Sequence, residues 1–135
     1  MKHIQVVAAI IVYNNCEILC MRRGPGRHDY LTGKYEFPGG KIEPGEEMPQ
    51  ALMRELKEEM ELELEIRAED YYMTVNHIYP DFEITMHSFV CRVGDKQFVR
   101  KEHTDHKWLK VEELKGLDWA MADWPIVERI AAEGI

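Results

Sequence analysis

Cysteine is scarce in this chain: three residues, Cys16, Cys20 and Cys91, among 135. The number is odd and the spacing fits no zinc or redox pattern. The chain is therefore read as carrying free thiols in a reducing cytoplasm, without a disulfide frame. Basic charge is also short, with 17 Lys and Arg against 25 Asp and Glu and a net charge of −8. An acidic body draws in neither a nucleic-acid polymer nor an anionic membrane. No apolar run reaches the length of a membrane span. The N-terminal MKHIQVVAAIIVYNN is too short and lacks the small-residue cleavage signal of a leader. Internal repeats, low-complexity tracts and linkers are missing as well. What is present is a length suited to one domain, residues 1–135, as a monomer or homodimer. With 45% hydrophobic and 31% charged residues, it can build one core and stay solvated. The negative charge does not exclude a phosphorylated small molecule. A divalent cation held by clustered carboxylates would bridge acid to phosphate.

Residues 4–13, IQVVAAIIVY, read as a buried first strand. Asn14-Asn15 turns the chain and residues 17–23 return as a second strand. The glycine-rich 24–33 is a loop, 34–37 a short strand, and Pro38-Gly39-Gly40 a break in regular structure. Pro49 suits the first turn of a helix over about 47–60. Strands at 67–78 and 83–92 flank a Tyr79-Pro80-Asp81 turn. A strand near 106–110, the turn VEELKG and a last helix over 124–132 complete the chain. This order predicts an α+β fold with a mixed sheet between helices, not a doubly wound parallel sheet.

The central helix carries RELKEEMEL at 54–62. Glu55, Glu58 and Glu59 stand at i, i+3 and i+4, where like charges cost roughly 0.2–0.5 kcal/mol per pair. None has a Lys or Arg four residues downstream. At 100° per residue the acids border the apolar stripe of Leu52, Met53, Leu56 and Met60. A solvated helix face is the ordinary meaning of such a cluster. Here the glycine pair, the spacing, the missing partners and the border position coincide. Together they point to a magnesium site, with hard oxygen ligands from carboxylates and a freed carbonyl.

Gly40, Glu46, Arg54, Glu55, Leu56, Glu58, Glu59 and Leu62 match G-x5-E-x7-R-E-U-x-E-E-x-G-U, where U is bulky and aliphatic. In this the chain resembles the Nudix family, and EFPGGKIEPGE is similar to its MutT-type branch. The likeness extends from the N-terminal hairpin to KEH at 101–103 and MADWPIV at 121–127. One position departs: Glu61 stands where the family has its helix-ending glycine. Glu61 either enters the left-handed conformation or the helix ends differently.

The resemblance implies an α/β/α sandwich with a mixed sheet. It also implies hydrolysis of a nucleoside triphosphate to monophosphate and pyrophosphate with Mg2+ or Mn2+. By the same resemblance, the Gly39 carbonyl, Glu58, Glu59 and Glu102 hold metal. Glu55 is a further ligand or the general base, with Glu58 the second catalytic glutamate. Arg23 and Lys41 face phosphate, and Arg54 and Glu46 are structural. Glu36, His28 and Phe37 are assigned to substrate, with Phe37 equally suited to the core.

Met121-Ala122-Asp123-Trp124-Pro125 resembles the base-reading segment of MutT-type enzymes. The enzyme for oxidised guanine has Asn there, whereas this chain has Asp123; members acting on CTP are similar in having Asp. An ionised Asp only accepts hydrogen bonds, which predicts a base presenting an exocyclic amino group, such as cytosine. Asp123 is also a good N-cap for the last helix. His103 and His106 read as surface residues. Hydrolysis of another nucleoside diphosphate derivative, or non-catalytic nucleotide sensing, are the alternative functions.

Overall fold

In the computed structural model, which describes all 135 residues, the backbone forms seven strands and two α-helices. The strands are β1 (Lys2–Tyr13), β2 (Glu17–Arg22), β3 (Tyr35–Glu36), β4 (Gly39–Lys41), β5 (Tyr71–Ile78), β6 (Phe82–Val93) and β7 (Asp105–Lys110). The helices are α1 (Met48–Met60) and α2 (Trp124–Glu133). The sheet runs β3-β2-β1-β6-β5, with β4 also paired to β1 and β7 to β2. β1 and β6 are parallel along their whole length, from Lys2 opposite Phe82 to Tyr13 opposite Val93. Every other strand pair is antiparallel, so the sheet is mixed as expected.

The unbroken apolar run of β1 reflects burial on both faces. Ala8, Ile10 and Val12 point to one face, against Ile126, Val127 and Ile130 of α2 and the indole of Trp119. Val7, Ala9 and Ile11 point to the other, against Ala51, Leu52, Leu56 and Met60 of α1. Alternation along one strand thus feeds two cores, and each helix covers one of them. No helix is long and apolar enough to cross a membrane.

Pro38-Gly39-Gly40 does not simply break the chain. Gly39–Lys41 pairs antiparallel with Val6–Ala8 of β1. The approach is so close that a Cβ on Gly39 would overlap the Val7 carbonyl. The strand expected from residue 67 begins at Tyr71, after a single 3-10 turn over Ala68–Asp70. At the end of α1, Glu61 takes the left-handed conformation, with φ 50° and ψ 35°. Its N–H donates to Lys57 O at 3.1 Å, and that of Leu62 to Leu56 O at 3.2 Å. This is the helix-ending pattern that glycine normally serves, kept by a residue that strains to adopt it.

Candidate active site

The β4–α1 connection is organised around Arg54. Its Nε and Nη2 donate to the two Glu46 oxygens at 2.7 and 3.0 Å, and Nη2 also donates to Lys41 O at 3.0 Å. This clamp ties the loop to the helix, the structural role read for the pair. Nη1 reaches further, to Glu55 Oε1 at 3.0 Å and Glu58 Oε2 at 3.2 Å. The acid patch is therefore not without a cation, as the downstream spacing implied. Its partner lies one residue before Glu55 and four before Glu58.

Arg54 sorts the carboxylates. The Glu58 side chain is 59% exposed and turned toward Arg54 and solvent. Glu55 is mostly buried beneath Gly40, where any Cβ would run into its carboxylate. Glu59 lies within hydrogen-bonding reach of Glu55. Burial, then the charges of Glu102 and Glu55, push its pKa up to about 8. Glu59, Glu102, Glu36, Gly39, Arg23 and His103 line one mainly polar cleft of about 240 Å³. Carboxylates whose charges raise the proton affinity of Glu59 are a donor set suited to a divalent cation. No three His, Cys, Asp or Glu side chains stand together in a geometry that would hold a metal ion by themselves. Magnesium does not need such a set, because it keeps several waters and is commonly held by one or two carboxylates plus phosphate oxygens.

A second cavity, about 390 Å³, adjoins this cleft. Its volume is in the range of small-ligand pockets. Arg23, His28, Glu36, Phe37, Lys41 and Asp123, which the family resemblance draws from five separate segments, all line it. Arg23, Glu36 and Gly39 line both spaces. Phe37 is 3% exposed and stacks on Trp119 with ring centres 4.8 Å apart, so it serves the core as well as the wall. The His28 Nδ1 sits 2.9 Å from Asp81 Oδ2 and its ring stacks on Phe82. Tyr79 accepts the Ala122 N–H at 3.0 Å, fixing the segment before Asp123. In the sequence Tyr79 reads only as a turn residue, and nothing in its spacing points to the cavity it lines.

Asp123 does not cap α2. Its backbone is right-handed helical and its side chain makes no cap bond. It is 4% exposed, and Oδ1 accepts the Phe37 N–H at 3.0 Å. Burial, reinforced by the charge of Glu36, raises its pKa well above the ordinary value of 3.8. Burial therefore disfavours the ionised form of Asp123, and the accept-only argument applies to that form alone. The raised value also has a sign for stability. The contribution of Asp123 is fully present below pH 3.8 and is lost as pH rises through the folded-state value. Asp123→Asn keeps the shape and does not titrate. Its melting temperature relative to the parent is expected to climb as pH rises above 3.8 toward the folded-state value. A difference that stays flat across that range would mean that the buried carboxyl ionises without penalty.

A mixed sheet between two helices, with an acid-lined helix entered through a Gly-Gly strand beside a ligand-sized cavity, defines a class of hydrolases acting on phosphoric anhydrides. The chain belongs to the Nudix family: residues 3–130 match the NUDIX domain. It is 34% identical over 143 residues to the CTP pyrophosphohydrolase of Escherichia coli K12, covering 98% of this chain and 94% of that one. It is 31% identical over 130 residues to the 8-oxo-dGTP diphosphatase of the same organism, covering 96% and 98%. The solution structure of the DNA mismatch repair protein MutT, a Nudix hydrolase from methicillin-resistant Staphylococcus aureus 252, superposes with a TM-score of 0.76 at 38% identity. That match covers 99% of this chain and 100% of the other. The protein is thus a Nudix hydrolase, an enzyme of nucleotide pyrophosphates.

Proposed function

We propose that the protein is a Mg2+-dependent nucleoside triphosphate pyrophosphohydrolase that also accepts Mn2+. It releases monophosphate and pyrophosphate from CTP or dCTP, or from an oxidised purine triphosphate such as 8-oxo-dGTP. The observation that carries this reading is the shared wall. Arg23, Glu36 and Gly39 border both the acid cleft and the cavity holding Asp123. One ligand can therefore set a base in the cavity and its phosphates against the acids. Relatives of both substrate types at similar identity support the pair of candidates.

Gly39, Glu58, Glu59 and Glu102 would hold the metal, which would neutralise phosphate charge and orient water when bound. Glu55 takes the proton of that water as its oxygen attacks phosphorus and an anhydride P–O bond breaks. The electron pair of that bond leaves with pyrophosphate. Arg23 and Lys41 bind phosphate oxygens, while His28, Phe37 and Asp123 face the base. The free thiols of Cys16, Cys20 and Cys91 suit the cytoplasm, where such nucleotides occur.

The test is a nucleotide panel with Mg2+, scored by kcat/KM and by products. It should contain CTP, dCTP, 5-methyl-dCTP, 8-oxo-dGTP, dGTP and ADP-ribose. Monophosphate plus pyrophosphate from a triphosphate is expected, with turnover abolished by EDTA. Turnover of ADP-ribose alone would overturn the reading.

A further inference from the structure

His103 is not the surface residue its sequence context implied. Its side chain is 9% exposed, and Nε2 lies 2.9 Å from Glu36 Oε2. The other Glu36 oxygen, Oε1, accepts from Arg23 Nη1 at 3.1 Å. Glu36 belongs to β3, which is paired to β2 through Met21. A residue of the rigid sheet therefore grips both a loop histidine and the arginine shared by cleft and cavity.

The segment between β6 and β7 has no strand of its own around Glu102. It is pinned on both sides. Before Glu102, Lys101 Nζ donates to the Glu58 carbonyl at 3.2 Å and pairs with Glu61 Oε2 at 3.3 Å, tying the segment to α1. After Glu102, His103 ties it to Glu36, and Thr104 N–H donates to Arg22 O at 3.0 Å. Glu102 stands between these anchors, close enough to Glu59 for their charges to oppose each other.

We infer that His103 is a positioning residue: through Glu36 it sets Glu102 against Glu59 and holds Arg23 at the boundary of cleft and cavity. This rests on the reading that the acid cluster holds a divalent cation. His103 borders the acid cleft, but its Nε2 is engaged with Glu36, so it acts through its neighbours on the ion and the reacting atoms. It fixes the backbone that carries a carboxylate to them. Partners of this outer kind typically cost 10–100-fold in metal affinity or activity when removed.

The test uses the full chain without nucleotide and follows free Mn2+ by electron paramagnetic resonance, alongside steady-state kinetics. His103→Ala is expected to weaken Mn2+ binding about 10-fold and to lower kcat by a similar factor. His103→Gln, which returns an N–H close to the Nε2 position, is expected to recover most of both. Thermal melts confirm that each variant is folded. In a Glu36→Ala background, His103→Ala is expected to add little, because the two act in series. Parent-like Mn2+ affinity in the alanine variant, or fully additive losses in the cycle, would overturn the role. If the parent hydrolyses no triphosphate but the Mn2+ difference remains, the functional reading fails and the positioning role stands. If the parent hydrolyses triphosphates and the variant matches it in both readouts, only the positioning role fails.

Discussion

Replacing Glu55 by Gln is expected to lower kcat by roughly 10²- to 10⁴-fold, the usual range for a lost general base. The substitution is nearly isosteric. It keeps the side chain under Gly40 and leaves an oxygen for the Arg54 Nη1 that now bonds at 3.0 Å. Fold and nucleotide affinity should therefore survive, and the loss should appear in kcat with KM little changed. Glu59 supplies a second readout, since the Glu55 charge is one of the causes holding its pKa near 8. Removing that charge lowers the proton affinity of Glu59. Steady-state kinetics, paired with calorimetric binding of a non-hydrolysable triphosphate, separate the two effects. Full turnover by the variant would take Glu55 out of the mechanism.

The two adjacent glycines of β4 should fail in different ways. At Gly39 a methyl group would meet backbone, the Val7 carbonyl in the centre of β1, which cannot swing aside. Gly39→Ala must part β4 from β1, and overpacking of this kind costs about 3 kcal/mol. For a domain of this size that is a fall of roughly 10 °C in melting temperature. At Gly40 the methyl would meet the Glu55 carboxylate, the far end of a side chain that can move. Gly40→Ala is expected to stay folded and lose turnover, because Glu55 is displaced from Glu59. Melting curves and kcat measured together distinguish them. Equal melting losses in both variants would mean that the two glycines serve the same purpose.

The sequence announced those parts of the fold in which local pattern and tertiary role agree. β1 was legible because burial on both faces writes itself as a run of Val, Ile and Ala. α1 was legible from Pro49 and the 3.6-residue stripe. β4 was not, since Pro-Gly-Gly is a breaker by local rules and becomes a strand only because β1 lies alongside it. In the site, residue types and spacing identified the acid helix, and the resemblance to the Nudix family implied the residues now found on the cavity wall. Three features needed three dimensions. Arg54 relieves the acids by reaching along and across its helix, which a search four residues downstream does not detect. The raised proton affinity of Asp123 follows from burial, a property no motif encodes. His103 acquires its role from Glu36, 67 residues away in the chain.

The long parallel pairing of β1 with β6 also bears on how the chain is made. β1 meets β2 and β4 early, but the strand along its other edge lies about 80 residues later. At synthesis rates of roughly 5–20 residues per second, that strand follows some 4–16 s behind. Throughout that interval a Val- and Ile-rich strand presents an unsatisfied edge to the cell. The strand buried on both faces in the finished protein is thus left with an open apolar edge while the chain is made, and an unpaired edge of this kind is a template for association.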